Sequence, residues 1–374
     1  MADTPLIADD RSLARLMDQL RGETCLALDT EASSFHRYHE RIGLVQLSNR
    51  TDTWLVDPLA VQDMAPLGRM LADEHVEVVV HDADYDLRLL KRMYGYRVHH
   101  VFDTLIAAEL LNEPELSLAA LLKKYFGVVL DKRYQKADWC KRPLTPGMLE
   151  YAAMDTRHLI ALCDRLAEQL HQRDRWSWAE EEFGLLTEVP FNEEAPTEPG
   201  FVRIKGAKAL KPKELAVLRE LFTWRDQVAA RLDRAPFMVL GNAVMIDLAK
   251  EPPTGQGDLA KRKGIGDSTV KKNGAAILQA VERGMELPKD QWPRLERPKR
   301  YDRDPDYEDR LKRLKKTRDR LMEQWDLRPG VVCANQLLAE IARTRPSSLA
   351  ELGAVEGLRQ WQLRTFGKAL LEAL

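Results

Sequence analysis

Residues 25 to 31 read Cys-Leu-Ala-Leu-Asp-Thr-Glu, a short apolar run that ends in two acidic residues. The run predicts a buried strand of an α/β sheet. Side chains two positions apart leave the same face of a strand, so Asp29 and Glu31 should share one face. Open α/β sheets carry their sites at the carboxyl ends of strands. This stretch therefore predicts both a sheet and an acidic site at its edge.

Two further acidic elements occur in the first half of the chain. Asp86 stands near the start of a predicted helix, after a predicted strand that ends at Val80. Tyr151 and Asp155 are four positions apart on another predicted helix and so share one helical face. Each element alone is common on protein surfaces. Their joint occurrence, in this order and in an α/β context, favours a single site.

Grouped carboxylates repel one another unless cations compensate, and carboxylates without cysteine select Mg²⁺ or Mn²⁺ over zinc. Two such ions, roughly 3.5–4 Å apart, can bind the attacking and the leaving oxygen of a displacement at phosphorus. A tyrosine hydroxyl, with an ordinary pKa of about 10, orients water better than it acts as a base. We therefore predict two divalent cations for hydrolysis of a phosphodiester, with Asp29, Glu31, Asp86 and Asp155 as metal ligands and Tyr151 as a further catalytic residue.

Bulk composition limits the classes of protein to consider. A chain of 374 residues suggests two or three domains. The formal net charge is −2, so nucleic acid must be bound by local basic surfaces. The four cysteines form no Cys-x-x-Cys pair, which argues against a zinc site or a disulfide framework. No membrane span and no signal-peptide core are apparent, so we expect a cytoplasmic protein without membrane association.

The first 190 residues alternate strand-like and helix-like patterns, which predicts an α/β domain with one central sheet. The strand order cannot be read from periodicity. The predicted strands are Cys25–Asp29, Ile42–Ser48, Thr53–Asp57 and Val76–Val80, and the predicted helices are Ser12–Leu20, Asp84–Met93, Thr104–Leu111, Leu118–Tyr125 and Leu149–Leu170. The stretch 187–200 is rich in proline and glutamate, so we place a linker at residues 191–205.

Beyond the predicted linker, strand signals almost vanish and an internal repeat occurs. A shift of 93 positions superimposes residues of the same type: Arg225 and Arg318, Asp233 and Asp326, Pro236 and Pro329, Asn242 and Asn335, Pro253 and Pro346, Gly264 and Gly357. Shared proline, asparagine and glycine at one fixed offset is unlikely to arise by chance. The sequence predicts two copies of one helical bundle, at residues 206–290 and 291–374.

These motifs carry a family resemblance. Asp29-Thr30-Glu31, His81-x-Ala83-x-Tyr85-Asp86 and Tyr151-x-x-x-Asp155 resemble the three exonuclease motifs of the DEDD superfamily, in its tyrosine variant. Val101-Phe102-Asp103-Thr104 and Asp138-Trp139-x-x-Arg142-Pro143-Leu144 are similar, more narrowly, to bacterial ribonuclease D, and the repeat resembles two HRDC domains. The resemblance implies a ribonuclease H-like α/β catalytic domain, with a mixed central sheet flanked by helices, followed by two all-α helical-bundle domains.

The same resemblance implies a 3′–5′ exoribonuclease that acts on structured RNA, notably tRNA precursors. The sequence leaves the oligomeric state open, and we favour a monomer. The resemblance implies that Asp29, Glu31 and Asp155 ligate the ion that activates water, and that Asp29 bridges to a second ion held by Asp86. Tyr151 would position the water, whereas Asp103 is expected to be structural. Two alternatives stay open. A DNA exonuclease would share this chemistry, because nothing in the motifs reads a 2′-hydroxyl, and an inactive RNA-binding scaffold would not need every acidic residue.

Single-stranded RNA is recognised mainly through backbone charge and base stacking. Phe35 and Arg37 lie in a loop after the acidic strand and are predicted to contact a terminal base and phosphate; an ordinary surface loop is the alternative. His81 is predicted to form a local hydrogen bond, with a phosphate contact as the alternative.

A second candidate RNA contact is the turn that contains Lys263, Gly264 and Gly266. Glycine permits close backbone approach, and a following helix start with nearby lysines favours phosphate. The second repeat lacks the second glycine and the lysines, so the first repeat should be the one that uses this turn. The basic runs 203–213 and 310–320 could add contacts, although such runs are usually solvated helix faces.

Overall fold

The computed structural model of the chain describes residues 4–131, 133–188, 198–295, 304 and 306–374. Residues 191–197 of the linker predicted at 191–205 lie outside these ranges. The chain divides into two compact units. The first contains Met1–Glu31, Ile42–Phe191 and Tyr301–Leu374, and the second contains Ala32–Arg41 and Asn192–Arg300. The first helical repeat thus belongs to unit two, and the second repeat belongs to the same unit as the sheet.

A six-stranded mixed sheet forms the centre of unit one. Its strands are β1 (Leu6–Ile7), β2 (Cys25–Ala32), β3 (Ile42–Ser48), β4 (Thr53–Val56), β5 (Glu77–Val80) and β6 (His100–Asp103), in the spatial order β1-β4-β3-β2-β5-β6. Strand β3 pairs antiparallel with β4, and the pairs β1–β4, β2–β5 and β5–β6 are parallel. The expected mixed sheet is confirmed, and the acidic strand β2 lies in its interior.

Eight helices accompany the sheet in the described part of the chain before residue 189. They are α1 (Asp10–Gln19), α2 (Ala65–Leu71), α3 (Ala83–Tyr94), α4 (Thr104–Leu110), α5 (Leu118–Phe126), α6 (Pro146–Arg157), α7 (Leu159–Gln172) and α8 (Trp176–Thr187). The prediction of one helix over Leu149–Leu170 is wrong, because the chain bends at His158 between α6 and α7. Apolar residues recur at helical spacing on both sides of this bend, so the pattern does not reveal it.

Two features position helix α6 on the sheet: a capped N-terminus and a face of small apolar side chains. The Thr145 side chain accepts a hydrogen bond from the backbone N–H of Met148, and Pro146 occupies the first turn. Ala152 and Ala153 are fully buried and pack in one cluster with Leu44 and Leu55 of the sheet. These small side chains let the helix lie close to the strands.

The two helical repeats fold alike. The first comprises α9 (Pro212–Leu232), α10 (Pro236–Val239), α11 (Asn242–Lys250), α12 (Gln256–Leu259) and α13 (Asp267–Glu286), and the second comprises α14 (Tyr307–Trp325), α15 (Pro329–Val332), α16 (Asn335–Thr344), α17 (Leu349–Gly353) and α18 (Gln360–Glu372). One hydrogen bond recurs at 2.6 Å in both copies, from Arg225 to Asn242 and from Arg318 to Asn335. The repeat read from the sequence is therefore confirmed. No described helix combines the length and the apolar character that crossing a bilayer requires.

The second repeat shares its core with the sheet domain. Trp178 of α8 stacks on Trp361 of α18 with ring centroids 4.5 Å apart, and the Trp361 indole donates a hydrogen bond to Glu182 over 2.8 Å. Arg175 donates to the backbone carbonyls of Leu110 and Trp325. Core residues of both parts form one continuous buried cluster. Removal of the second repeat would therefore expose part of the core of unit one.

We expect Trp361→Ala to destabilise the sheet domain together with the second repeat. Trp361 is only 1% exposed, and truncation of a buried tryptophan costs about 3–5 kcal/mol. Urea unfolding should report the loss. Leu349→Ala is the matched control, because Leu349 is 49% exposed in the same repeat and its loss should cost less than about 0.5 kcal/mol. Unfolding of the sheet domain at an unchanged urea concentration in Trp361→Ala would contradict the shared core.

Candidate active site

Three of the predicted metal ligands converge at the carboxyl end of β2. Asp29 and Glu31 leave one face of β2, and α6 brings Asp155 to the same place. One carboxylate oxygen from each residue lies within 4.8 Å of the other two. The spacing suits a single cation held by three oxygens.

Asp86, the fourth predicted ligand, lies beside this cluster, and a hydrogen bond from Thr30 links it to β2. The hydroxyl of Thr30 donates a buried hydrogen bond to the Asp86 carboxylate. Thr30 points to the opposite face of β2 from its two acidic neighbours, because side chains alternate along a strand. Thr30 therefore ties Asp86 to the strand that carries Asp29 and Glu31. Thr30 was not singled out from the sequence, although its place between two acidic residues is a signal.

Asp103 fixes the start of the helix that carries Asp86. Its carboxylate is 2% exposed and accepts backbone N–H groups from Asp82 at 3.0 Å, from Ala83 at 2.9 Å and from Leu105 at 2.8 Å. It thus caps the first turns of both α3 and α4. These bonds are consistent with the structural role expected for Asp103.

Burial and mutual repulsion make the carboxylates weak acids. Burial raises the pKa of Asp29 well above its usual value, and the charges of Asp86, Asp155 and Glu31 raise it further. Burial, reinforced by the charges of Asp155 and Asp86, raises the pKa of Glu31 to about 9. Burial also raises the pKa of Asp86 and of Asp155 to about 7. Oxygen ligands that repel one another fit a hard divalent cation, which would replace the bound protons.

Tyr151 lies one helical turn before Asp155. Burial raises the pKa of Tyr151 above its usual value, and the charges of Asp155, Glu31 and Asp29 act in the same direction. The phenol therefore keeps its proton near neutral pH and can donate a hydrogen bond. The ring of Tyr151 packs near Trp139 and Tyr134, at centroid distances of 5.9 and 6.1 Å.

The Trp139 segment is itself anchored to the sheet by Arg142. The guanidinium donates two hydrogen bonds of 2.6 Å to Asp57 and one of 2.7 Å to each backbone carbonyl of Gly43 and Trp139. A Cβ atom at Gly43 would lie 2.6 Å from the Trp139 carbonyl oxygen, so only glycine permits this approach. The packing of Trp139 against Tyr151 was not foreseen from the sequence, because the segment is held by bonds from Arg142 to Asp57 and Gly43, which lie 85 and 99 positions away in the chain.

His81 forms a local hydrogen bond and does not carry the positive charge that would attract a phosphate. Its Nδ1 lies 2.9 Å from the Thr104 hydroxyl, which in turn donates to the carbonyl of Val80. Burial lowers the pKa of His81 to about 4, so the imidazole is neutral at physiological pH. The predicted local hydrogen bond is present.

Phe35 and Arg37 lie in unit two, in a loop bound to the first helical repeat. The backbone N–H of Ala235 donates to the His36 carbonyl over 3.1 Å. The Tyr38 hydroxyl donates to Asp226 over 2.8 Å. The structure thus assigns this loop a fixed place on the repeat, while its contact with RNA stays a prediction.

The two repeats differ at the predicted phosphate-binding turn. In the first, Gly264 has a positive φ of 88°, Lys263 is exposed, and Gly266 precedes α13. In the second, the N–H groups of Gln360 and Trp361, which open α18, donate to Glu181 of α8 at 2.5 and 2.9 Å. An internal carboxylate therefore occupies this helix start in the second repeat.

Comparisons with known proteins agree with this fold and site. Residues 6–171 match a family model described as 3′-5′ exonuclease, and residues 214–281 and 308–374 match the HRDC domain. A ribonuclease D of Pseudomonas paraeruginosa is 31% identical over 371 residues, covering 98% of this chain and 96% of the relative.

Two solved structures have a similar fold. Escherichia coli RNase D, described as an exoribonuclease involved in structured RNA processing, is 26% identical with a TM-score of 0.72, over 99% of this chain and 98% of that one. The catalytic core of RRP6 from Trypanosoma brucei is 30% identical with a TM-score of 0.65, over 76% of this chain and 81% of that one.

Fold and site together define a 3′–5′ exonuclease domain joined to HRDC domains. More narrowly, the chain belongs to the ribonuclease D family and is a 3′–5′ exoribonuclease, a hydrolase.

The raised pKa values predict how pH acts on the metal-free protein. In the unfolded chain a carboxyl group has a pKa of about 4. A carboxyl group whose pKa is higher in the folded protein contributes its full stabilisation at a pH below about 4. This contribution disappears as pH rises through the folded values of about 7 for Asp155 and about 9 for Glu31. Stability in EDTA should therefore fall between pH 5 and pH 9.

Asp155→Asn should reduce this fall by at least about 1 kcal/mol, because one titrating group is removed. Denaturant unfolding at the two pH values measures the difference. Asp18→Asn is the control, since Asp18 is exposed and pairs only with Arg21 over 2.6 Å among the described residues. An identical pH dependence in wild type and Asp155→Asn would show that Asp155 does not titrate with the cluster.

Proposed function

We propose that this chain trims the 3′ ends of structured RNA, tRNA precursors foremost, by phosphodiester hydrolysis that depends on two divalent cations. The observation that carries the chemistry is the approach of Asp29, Glu31 and Asp155 to within 4.8 Å, with Asp86 beside them. The domain content and the structured-RNA role of the Escherichia coli relative support the substrate class.

Asp29 would be a ligand to both cations. The charges of all three other carboxyl groups, Asp86, Asp155 and Glu31, raise its pKa, which supports this assignment. Asp29, Glu31 and Asp155 would hold one ion, and Asp29 and Asp86 the other. Mg²⁺ or Mn²⁺ bound there would supply a water of lowered pKa and neutralise charge on the leaving oxygen.

Tyr151 would orient the attacking water. Its phenol stays protonated, so it can donate to or accept from a water but does not act as the base. Trp139 and Tyr134 hold its ring, which limits the hydroxyl to a small region near Asp155.

Digestion of matched RNA and DNA oligonucleotides, labelled at one end, tests the reaction and the sugar preference together. Wild type should release mononucleotides from the 3′ end of RNA with Mg²⁺ or Mn²⁺ and stop in EDTA. Asp29→Asn should lower the rate at least about a thousandfold, because the bridging charge is lost. Its fold should be unchanged by circular dichroism.

Asp18→Asn serves again as the control and should digest RNA at the wild-type rate. Faster digestion of DNA than of RNA would replace the RNA assignment by a DNA exonuclease. Full activity of Asp29→Asn would exclude the metal assignment.

Tyr151→Phe should reduce kcat roughly a hundredfold while KM and Mn²⁺ binding change little, because the hydroxyl acts on the water and not on the cation. Single-turnover digestion and Mn²⁺ titration calorimetry separate the two effects. Tyr134→Phe is the control, since it removes a neighbouring hydroxyl. Loss of Mn²⁺ binding in Tyr151→Phe would mean that the hydroxyl is instead a metal ligand.

A further inference from the structure

An exposed apolar patch lies within unit two, where the loop after β2 meets the first repeat. Phe35 and Phe237 form its centre, with exposed fractions of 43% and 47%, and the exposed Leu232 and Met238, at 51% and 43%, lie close to Phe237 in sequence. The rings of Phe35 and Phe237 lie 5.1 Å apart between centroids and are inclined by 58°. Large apolar side chains exposed together in this way mark a binding surface more often than they serve stability.

The patch is held in a fixed arrangement by polar bonds on its flanks. The backbone N–H of Ala235 donates to the His36 carbonyl at 3.1 Å, next to Phe35. Farther along the loop, the N–H of His39 donates to Asp233 at 3.0 Å. A ligand that stacks on rings already in place loses little further conformational freedom on binding.

Two arginines lie close to the patch residues in sequence. Arg231 and Arg234 are exposed, and within the described residues their guanidinium groups form no ion pair. Arg231 directly precedes Leu232, and Arg234 follows it by two positions. Aromatic rings interleaved with arginine fit a ligand that combines flat bases with phosphates.

We propose that Phe35 and Phe237 form a stacking platform for one nucleobase of single-stranded RNA, with Arg231 and Arg234 contacting the neighbouring phosphates. The proposal rests on the exoribonuclease function given above and adds residues of the first repeat to substrate binding. Phe35 follows the proposed metal ligand Glu31 by four residues of chain. The surface is small and charged at its border, which favours a base over a protein partner.

The test uses single-stranded RNA oligonucleotides with 2-aminopurine placed at successive positions from the 3′ end, in EDTA to prevent hydrolysis. Wild type should quench the probe at one position by stacking. Phe237→Ala should abolish that quenching and weaken binding roughly tenfold, the scale of one lost aromatic stack. Phe237→Trp should retain both, because the ring surface is kept.

Met285→Ala is the matched control, because Met285 is 37% exposed in the same unit and lies outside the patch. It should bind RNA as wild type does. Unchanged affinity and quenching in Phe237→Ala would overturn the platform and leave the patch for a protein contact. If wild type digests RNA in Mg²⁺ and Phe237→Ala still binds it fully, only the platform fails. A wild type that neither binds nor digests RNA would overturn the proposed function as well.

Discussion

Mutual repulsion among partly buried carboxylates is the constraint on which this structure depends. Asp29, Glu31 and Asp155 place oxygens within 4.8 Å of one another, with Asp86 close by. Such an arrangement destabilises the fold unless protons or cations neutralise it. The apolar contact of α6 with the sheet, and the hydrogen bond from Thr30, hold the carboxylates together against this repulsion. A divalent cation bound at this site would relieve the repulsion and so stabilise the fold.

The two helical repeats share a fold but not their surroundings. In the second repeat the start of α18 is occupied by Glu181, and Trp361 is buried against Trp178. A carboxylate at a helix start satisfies the same N–H groups that could bind a phosphate. The second repeat is thereby built into unit one. In the first repeat the glycine turn at Gly264 stays exposed.

Much of this fold could be predicted from short patterns. Interior strands such as β3 were placed correctly because buried parallel and mixed sheets need continuous apolar runs. Strands β1 and β6 were not predicted, since Leu6–Ile7 is only two residues long and His100–Asp103 holds only two apolar residues between polar ends. The bend at His158 was not predicted because a change in backbone direction leaves the apolar spacing intact. Tertiary packing sets such features, and local sequence carries little trace of them.

The sequence by itself determined which carboxyl groups are available, because side-chain alternation on a strand and the turn of a helix fix which of them share a face. It also determined that the helical half is repeated. Only the tertiary structure decided that Thr30 binds Asp86, that Arg142 anchors Trp139 beside Tyr151, and that one repeat shares a core with the sheet. The reason is physical. The bonds from Thr30 to Asp86, from Arg142 to Asp57 and from Trp361 to Glu182 join residues 56, 85 and 179 positions apart, and the chain closes such loops only when the whole core forms.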